Sequence, residues 1–160
     1  MTPIRTCLAA FALALAPLAV CAEEAAHVAE HDGIRALHGW TRATTRDTAL
    51  VFVEIENNRQ GPVTLTGLTT DIAADARLAG FRLSGRDAAY EELPAIVLDP
   101  GARIALEPEG AAFVLTGLRA PLLDGTHFDA TLLFGDVTLP FEIEVLDANA
   151  RQHGHAGHAH

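Results

Sequence analysis

Sulfur is nearly absent from this sequence. Met1 is its only methionine, and Cys7 and Cys21 are its only cysteines. All three fall in a segment with the marks of a leader: Arg5, the apolar run Leu8 to Val20 broken by Pro17, and small residues Val20 and Ala22 before Glu23. That pattern predicts a secretory signal peptide over residues 1–22, too short to be a spanning helix. Cleavage after Ala22 leaves a mature chain with no sulfur atom. It can form no disulfide, although the expected compartment, the periplasm, is oxidising. It also offers no thiolate or thioether to a soft ion such as Cu(I). In a competing reading Cys21 becomes a lipidated N-terminal residue, because Leu18-Ala19-Val20-Cys21 resembles a lipobox. Val20 is a poor residue immediately before such a cysteine, which favours cleavage after Ala22. The mature chain is expected to carry no transmembrane segment.

Lysine is missing altogether, and the formal net charge is -10 at pH 7. An acidic chain repels nucleic acid and anionic membrane surfaces, so neither is an expected partner. There is no nucleophile elbow, no glycine-rich phosphate loop and no zinc-protease helix motif. Ser and Thr are scattered and form no recognisable nucleophile motif with a His. Glu54, Glu56, Glu142 and Glu144 fall at solvent-facing positions of alternating segments. No enzyme is predicted.

No long segment carries a helical period. The 160 residues fit one domain with 49% apolar content. Residues 23–33 read as a flexible lead-in. Strands are predicted from Ile34 onward. Thr48 to Glu56 is apolar on both faces at its start and should be central. Ala111 to Leu115 is apolar throughout, as a buried strand would be. Val137, Leu139, Phe141, Ile143 and Val145 alternate with Thr138, Glu142 and Glu144, the clearest two-residue period in the chain. About eight or nine short strands with regular turns imply an antiparallel Greek-key sandwich or barrel, all-β, over residues 34–146.

Residues 147–160 form the remaining tail, expected to be flexible. Its end, His153-Gly154-His155-Ala156-Gly157-His158-Ala159-His160, sets four imidazoles among Gly and Ala. A mobile chain with ligands at this spacing can wrap a divalent ion, since neutral imidazole is a common ligand near pH 7. His153, His155, His158 and His160 are therefore the predicted ligands. His27 and His31, four residues apart, could assist if that segment were helical. His38 reads as a partly buried imidazole packing on Trp40, and His127 as a surface residue. Occupancy should fall as pH drops through the ordinary imidazole range, about 6.5.

The segment from Leu37 to Leu146 resembles the periplasmic copper chaperone family written PCu(A)C. His38-Gly39-Trp40-Thr41-Arg42-Ala43-Thr44 is similar to the family's opening. Val51-Phe52-Val53-Glu54-Ile55-Glu56-Asn57-Asn58 resembles its first long strand and Asn turn. Leu98-Asp99-Pro100-Gly101, Gly110-Ala111-Ala112-Phe113-Val114-Leu115-Thr116-Gly117-Leu118 and Pro121-Leu122 with Gly125 follow in the family's order. The resemblance implies a cupredoxin-like fold. It also implies a Cu(I) site of two His and two Met, whose positions fall here on Ala79, on Ala89 or Tyr90, and on Ala112 and Val114. None of these can hold a metal, so the metal chemistry is expected to have moved to the tail. All-nitrogen ligands favour Cu(II), with Zn(II) and Ni(II) next. The implied role is buffering or delivery of copper to an acceptor, such as a protein of cytochrome oxidase copper-site assembly. The alternative is an interaction module without metal that assists assembly of a respiratory or copper-handling complex.

Overall fold

The computed structural model describes residues 28–153. Their elements are all strands: β1 (Val28–His31), β2 (Ile34–Arg42), β3 (Thr48–Asn57), β4 (Val63–Thr69), β5 (Asp75–Ser84), β6 (Asp87–Glu92), β7 (Ile96–Leu98), β8 (Arg103–Leu106), β9 (Ala111–Thr116), β10 (His127–Phe134) and β11 (Val137–Leu146). They join in one sheet of order β6-β5-β9-β3-β2-β11-β10-β4-β7, with β1 added to β2 and β8 to β3.

Alternation decides which side chains go inside. Along β11 the odd-numbered residues Val137 to Val145 are buried and Thr138, Pro140 and Glu142 are exposed. On β3, Val51, Val53 and Ile55 meet inward residues of β4, β9 and β10 in a single core. Sharing that core is what folds the sheet over on itself. Burying Phe113, 0% exposed, removes an aromatic face from water, and truncation to Ala would cost about 3–5 kcal/mol. Buried Asn57 joins two loops to this core. Its amide nitrogen donates to the carbonyls of Gly61, Leu98 and Asp99, and its oxygen accepts the Arg59 N–H.

The structure departs from the sequence-based expectations in three places. Ordered structure starts before residue 34: Val28–His31 pairs with β2 through a tight turn in which Asp32 and Gly33 both have positive φ. Asp87–Glu92 is a further strand, paired with β5. The sheet is not wholly antiparallel, because Glu144, Val145 and Leu146 run parallel to Trp40, Thr41 and Arg42. That last pairing sets the chain's first and last long strands side by side.

Just past Leu146 the chain stays in contact with the sheet. A turn held by the Ala150 N–H to the Asp147 carbonyl reverses its direction. Arg42 Nε then donates to the Ala150 carbonyl at 2.5 Å. Residues 147–153 thereby return along the outer face of β2.

Candidate metal centre

The site grows from an irregularity in β2. Leu37 pairs with Glu54 and Trp40 with Phe52, so His38 and Gly39 together face the single residue Val53 of β3. This is a β-bulge, a device that re-aims a side chain. His38 sits at φ 52°, the left-handed region, which is costly for a residue with a Cβ. Gly39 is required by its surroundings. A Cβ there would lie 2.6 Å from Phe141 Cε2 and 2.9 Å from the Glu142 carbonyl oxygen. The bulge also falls where β2 changes partners on one edge, from β1 at Ile34–Leu37 to β11 at Trp40–Arg42.

The reversed segment brings His153 to this point. Its ring centre is 5.0 Å from that of His38, with the planes tilted by 39°. With metal–nitrogen bonds of about 2.0–2.1 Å, two imidazoles on one ion have ring centres roughly 4.5–5 Å apart. His153 Nε2 lies 3.0 Å from Glu144 Oε2, and its side chain is 11% exposed. A carboxylate at one imidazole nitrogen fixes the ring and directs the other nitrogen elsewhere. The two histidines border a hollow of about 270 Å³ that Glu54 and Glu107 also line. Arg151 lines it as well, and Glu54 is paired with Arg103, so Glu107 and the Glu144 that holds His153 are the carboxylates near the two imidazoles without an arginine partner among the described residues.

Behind the hollow stands an aromatic wall. Trp40 and Phe52 have ring centres 4.6 Å apart, and the Arg42 guanidinium lies 5.9 and 5.8 Å from those of the two rings. Ala112 is packed into the same cluster. Ala112 and Ala79, positions that the resemblance assigns to family ligands, are cross-strand partners and fully buried. Val114 lies across from Arg77.

Of the residues predicted from sequence, His153 is in this site. His31 is not: β1 is extended, and His31 lies at its far end, exposed and paired with Ile34 beside the turn. His27, His155, His158 and His160 lie outside the described residues. Val28, however, pairs with Leu37, immediately before His38. Both ends of the described chain therefore converge on the bulge. Among the described residues, no three His, Cys, Asp or Glu side chains form a metal-holding group.

His38 is the functional candidate that the sequence reading set aside as a partly buried ring packing on Trp40. The signal was present as a break in alternation: Ile34 and Ala36 point inward, then Thr41 does, a shift of one residue across His38-Gly39. His127 is exposed and occupies the position opposite Glu144 on β10.

Residues 34–145 match the family described as "Putative lipoprotein LpqE-like". A curated relative, "Putative lipoprotein Lxx21020" of Leifsonia xyli subsp. xyli, is 26% identical over 128 residues, covering 79% of this chain and 77% of that one. Among solved structures, the apo PCuAC domain of PmoF2 superposes with a TM-score of 0.64 at 22% identity, covering 79% of this chain and 99% of the domain. The copper-bound form of that domain gives 0.63 at 22% identity over 76% and 98%. Cu(I)-loaded DR1885 of Deinococcus radiodurans gives 0.57 at 24% identity over 71% and 78%. The cupredoxin-like fold expected from the resemblance is thus the observed one, and the chain belongs to the LpqE-like family, built on the PCu(A)C fold.

Proposed function

We propose that this protein is an exported copper-binding protein of the chaperone type, holding Cu(II) where its His-rich tail meets the β2 bulge. The observation that carries this reading is the docking of His153, first histidine of the tail, against His38 and Glu144. His155, His158 and His160 follow within a few residues and can complete the ligand set, and His27 directly precedes the strand end that pairs beside His38. An all-imidazole set suits Cu(II), with Zn(II) and Ni(II) as weaker competitors. Likeness of fold to copper-bound domains supports copper as the cargo. A site half on the fold and half on a tail suits delivery: a tail can exchange ligands with an acceptor stepwise while His38 retains the ion. The acceptor would be a copper-requiring protein outside the cytoplasm, cytochrome oxidase assembly being the case that the family resemblance implies. Buffering or delivery, rather than catalysis, is the role.

The leader supports export to the periplasm. The lipoprotein names of the family and of the Leifsonia relative add weight to the lipid-anchored alternative at Cys21. No helix among the described residues is long and apolar enough to cross a membrane.

Isothermal titration with Cu(II), Zn(II) and Ni(II) tests the reading on three proteins: the mature chain, a chain ending at Arg151, and His38→Ala. Cu(II) should bind the intact chain most tightly, and both variants should be weaker by tenfold or more, an effect of about 1.4 kcal/mol. Equal Cu(II) affinity of intact and shortened chains would remove the tail from the site.

A further inference from the structure

On the other side of the Trp40–Phe52 wall lies a second hollow of opposite character. It measures about 440 Å³, and Arg42, Arg46 and Arg77 line it. Leu50, Phe52 and Val114 form an apolar floor, and Thr44, Thr48 and Thr116 contribute hydroxyls. The register explains the convergence. Leu50 pairs with Val114 and Val114 with Arg77, so these side chains share the outer face of three adjacent strands.

These arginines converge without carboxylate partners among the described residues. Arg35, Arg59, Arg82 and Arg103 each meet a Glu or Asp. Among the described residues, Arg42, Arg46 and Arg77 meet none; Arg42 donates to a backbone carbonyl and stacks on the aromatic pair. In a chain of formal net charge -10, three cations gathered on one groove without counter-charges leave a local positive field. Guanidinium groups suit carboxylates, which they grip through paired N–H donors.

We infer that this groove docks an acidic segment of a partner protein, with carboxylates on the arginines and an apolar side chain on the Leu50–Phe52–Val114 floor. The apolar floor asks for a ligand with apolar parts as well as charge. The concave shape suits a few side chains better than a flat bilayer, which the chain's net charge would also oppose. Phe52 of this groove packs on Trp40, which lines the histidine hollow, so a partner seated here would lie near the proposed metal site. The inference itself does not depend on metal being bound.

The test uses a fluorescein-labelled peptide alternating glutamate and leucine, followed by anisotropy with the full mature chain in the presence of EDTA. Arg46 and Arg77 are exposed and can be reversed without disturbing the core. The Arg46→Glu/Arg77→Glu protein should bind the peptide at least about tenfold more weakly. Arg82→Glu/Arg86→Glu, with the same change of charge on the β5–β6 hairpin, should stay within about twofold of the parent. Wild-type affinity should fall with added salt. Equal weakening by both double variants, or no peptide binding by the parent, would overturn the inference. So would binding to phosphatidylglycerol vesicles, without peptide binding, that is lost in Arg46→Glu/Arg77→Glu; the groove would then be a lipid site.

Discussion

His38 and His153, near opposite ends of the described chain, face each other with ring centres 5.0 Å apart. His38 reaches this position from a backbone conformation, φ 52°, that glycine would adopt more cheaply. A residue kept in a costly conformation beside a candidate ligand suggests a trade of stability for binding. His38→Gly should therefore leave thermal stability unchanged or raise it by up to about 1 kcal/mol. The same variant should bind Cu(II) about tenfold more weakly or worse. Paired melting and titration curves read both effects, and an unchanged affinity would show that His38 is not a ligand.

Glu144 is expected to act through His153. Its carboxylate holds Nε2 at 3.0 Å on a side chain 24% exposed. Glu144→Gln keeps the shape but removes the charge that orients and enriches the imidazole. Cu(II) affinity should drop by roughly tenfold, while the denaturation midpoint without metal moves little, since partly exposed pairs contribute about 0–1 kcal/mol. The electron paramagnetic resonance spectrum of bound Cu(II) should change in the variant. An identical spectrum and affinity would place Glu144 outside the site.

The strands that could be read in the sequence are those with one face buried and one wet, such as β11, or those buried on both, such as β9. There the hydrophobic pattern is the structure's own imprint. β1 and β6 left no such imprint because they are edge additions with mostly exposed side chains. Their signal was in the turns, Asp32-Gly33 and Gly85-Arg86, where a two-residue loop joins paired strands. The parallel pairing of β2 with β11 could not be read locally, since it arises from closure of the whole sheet. The site was half legible for the same reason. Histidine density marked His153, but His38 became a candidate only once a reversed turn at Asp147–Ala150 carried the tail back across β2.

Asn57 should be among the most sensitive polar positions. It is fully buried, and its amide nitrogen serves three carbonyls from two loops. Asn57→Ala would strand those acceptors and the Arg59 N–H. The expected loss is about 2–4 kcal/mol, measured by urea denaturation. Asn57→Asp should be about as harmful, because it keeps the acceptor but removes the donor. A loss below about 0.5 kcal/mol would mean that water replaces these bonds.

Arg59 holds Asp136 below the usual carboxylate range, first by side-chain hydrogen bonding, with the backbone and the nearby charge adding to it. A carboxyl whose pKa is lower in the folded chain stabilises the fold above its unfolded value, near 3.8, and loses that contribution as pH falls through the folded value. Asp136 is fully exposed, so the effect should be small and screened by salt. The melting temperature of the parent should exceed that of Asp136→Asn at neutral pH and low salt. The gap should close as pH falls below the carboxylate range, and also in 1 M salt. A gap that persists in acid would mean that the contact is not electrostatic.

Gly39→Ala tests the bulge itself, and its signature should be the reverse of that of His38→Gly. The added Cβ would meet Phe141, a buried ring, and the Glu142 carbonyl, which is backbone of β11. Neither can yield without moving β11 away from β2. Stability should fall by about 1–3 kcal/mol, as for other overpacked sites. Glu144 lies two residues beyond Glu142 and pairs with Trp40 directly after Gly39, so the same displacement should loosen the hollow. Cu(II) affinity should fall together with stability, though no ligand has been touched. If Gly39→Ala destabilises the fold yet binds Cu(II) as the parent does, the ion is held by the tail alone and the bulge only supports the sheet. If affinity falls with stability in Gly39→Ala and falls without it in His38→Gly, the bulge belongs to the site.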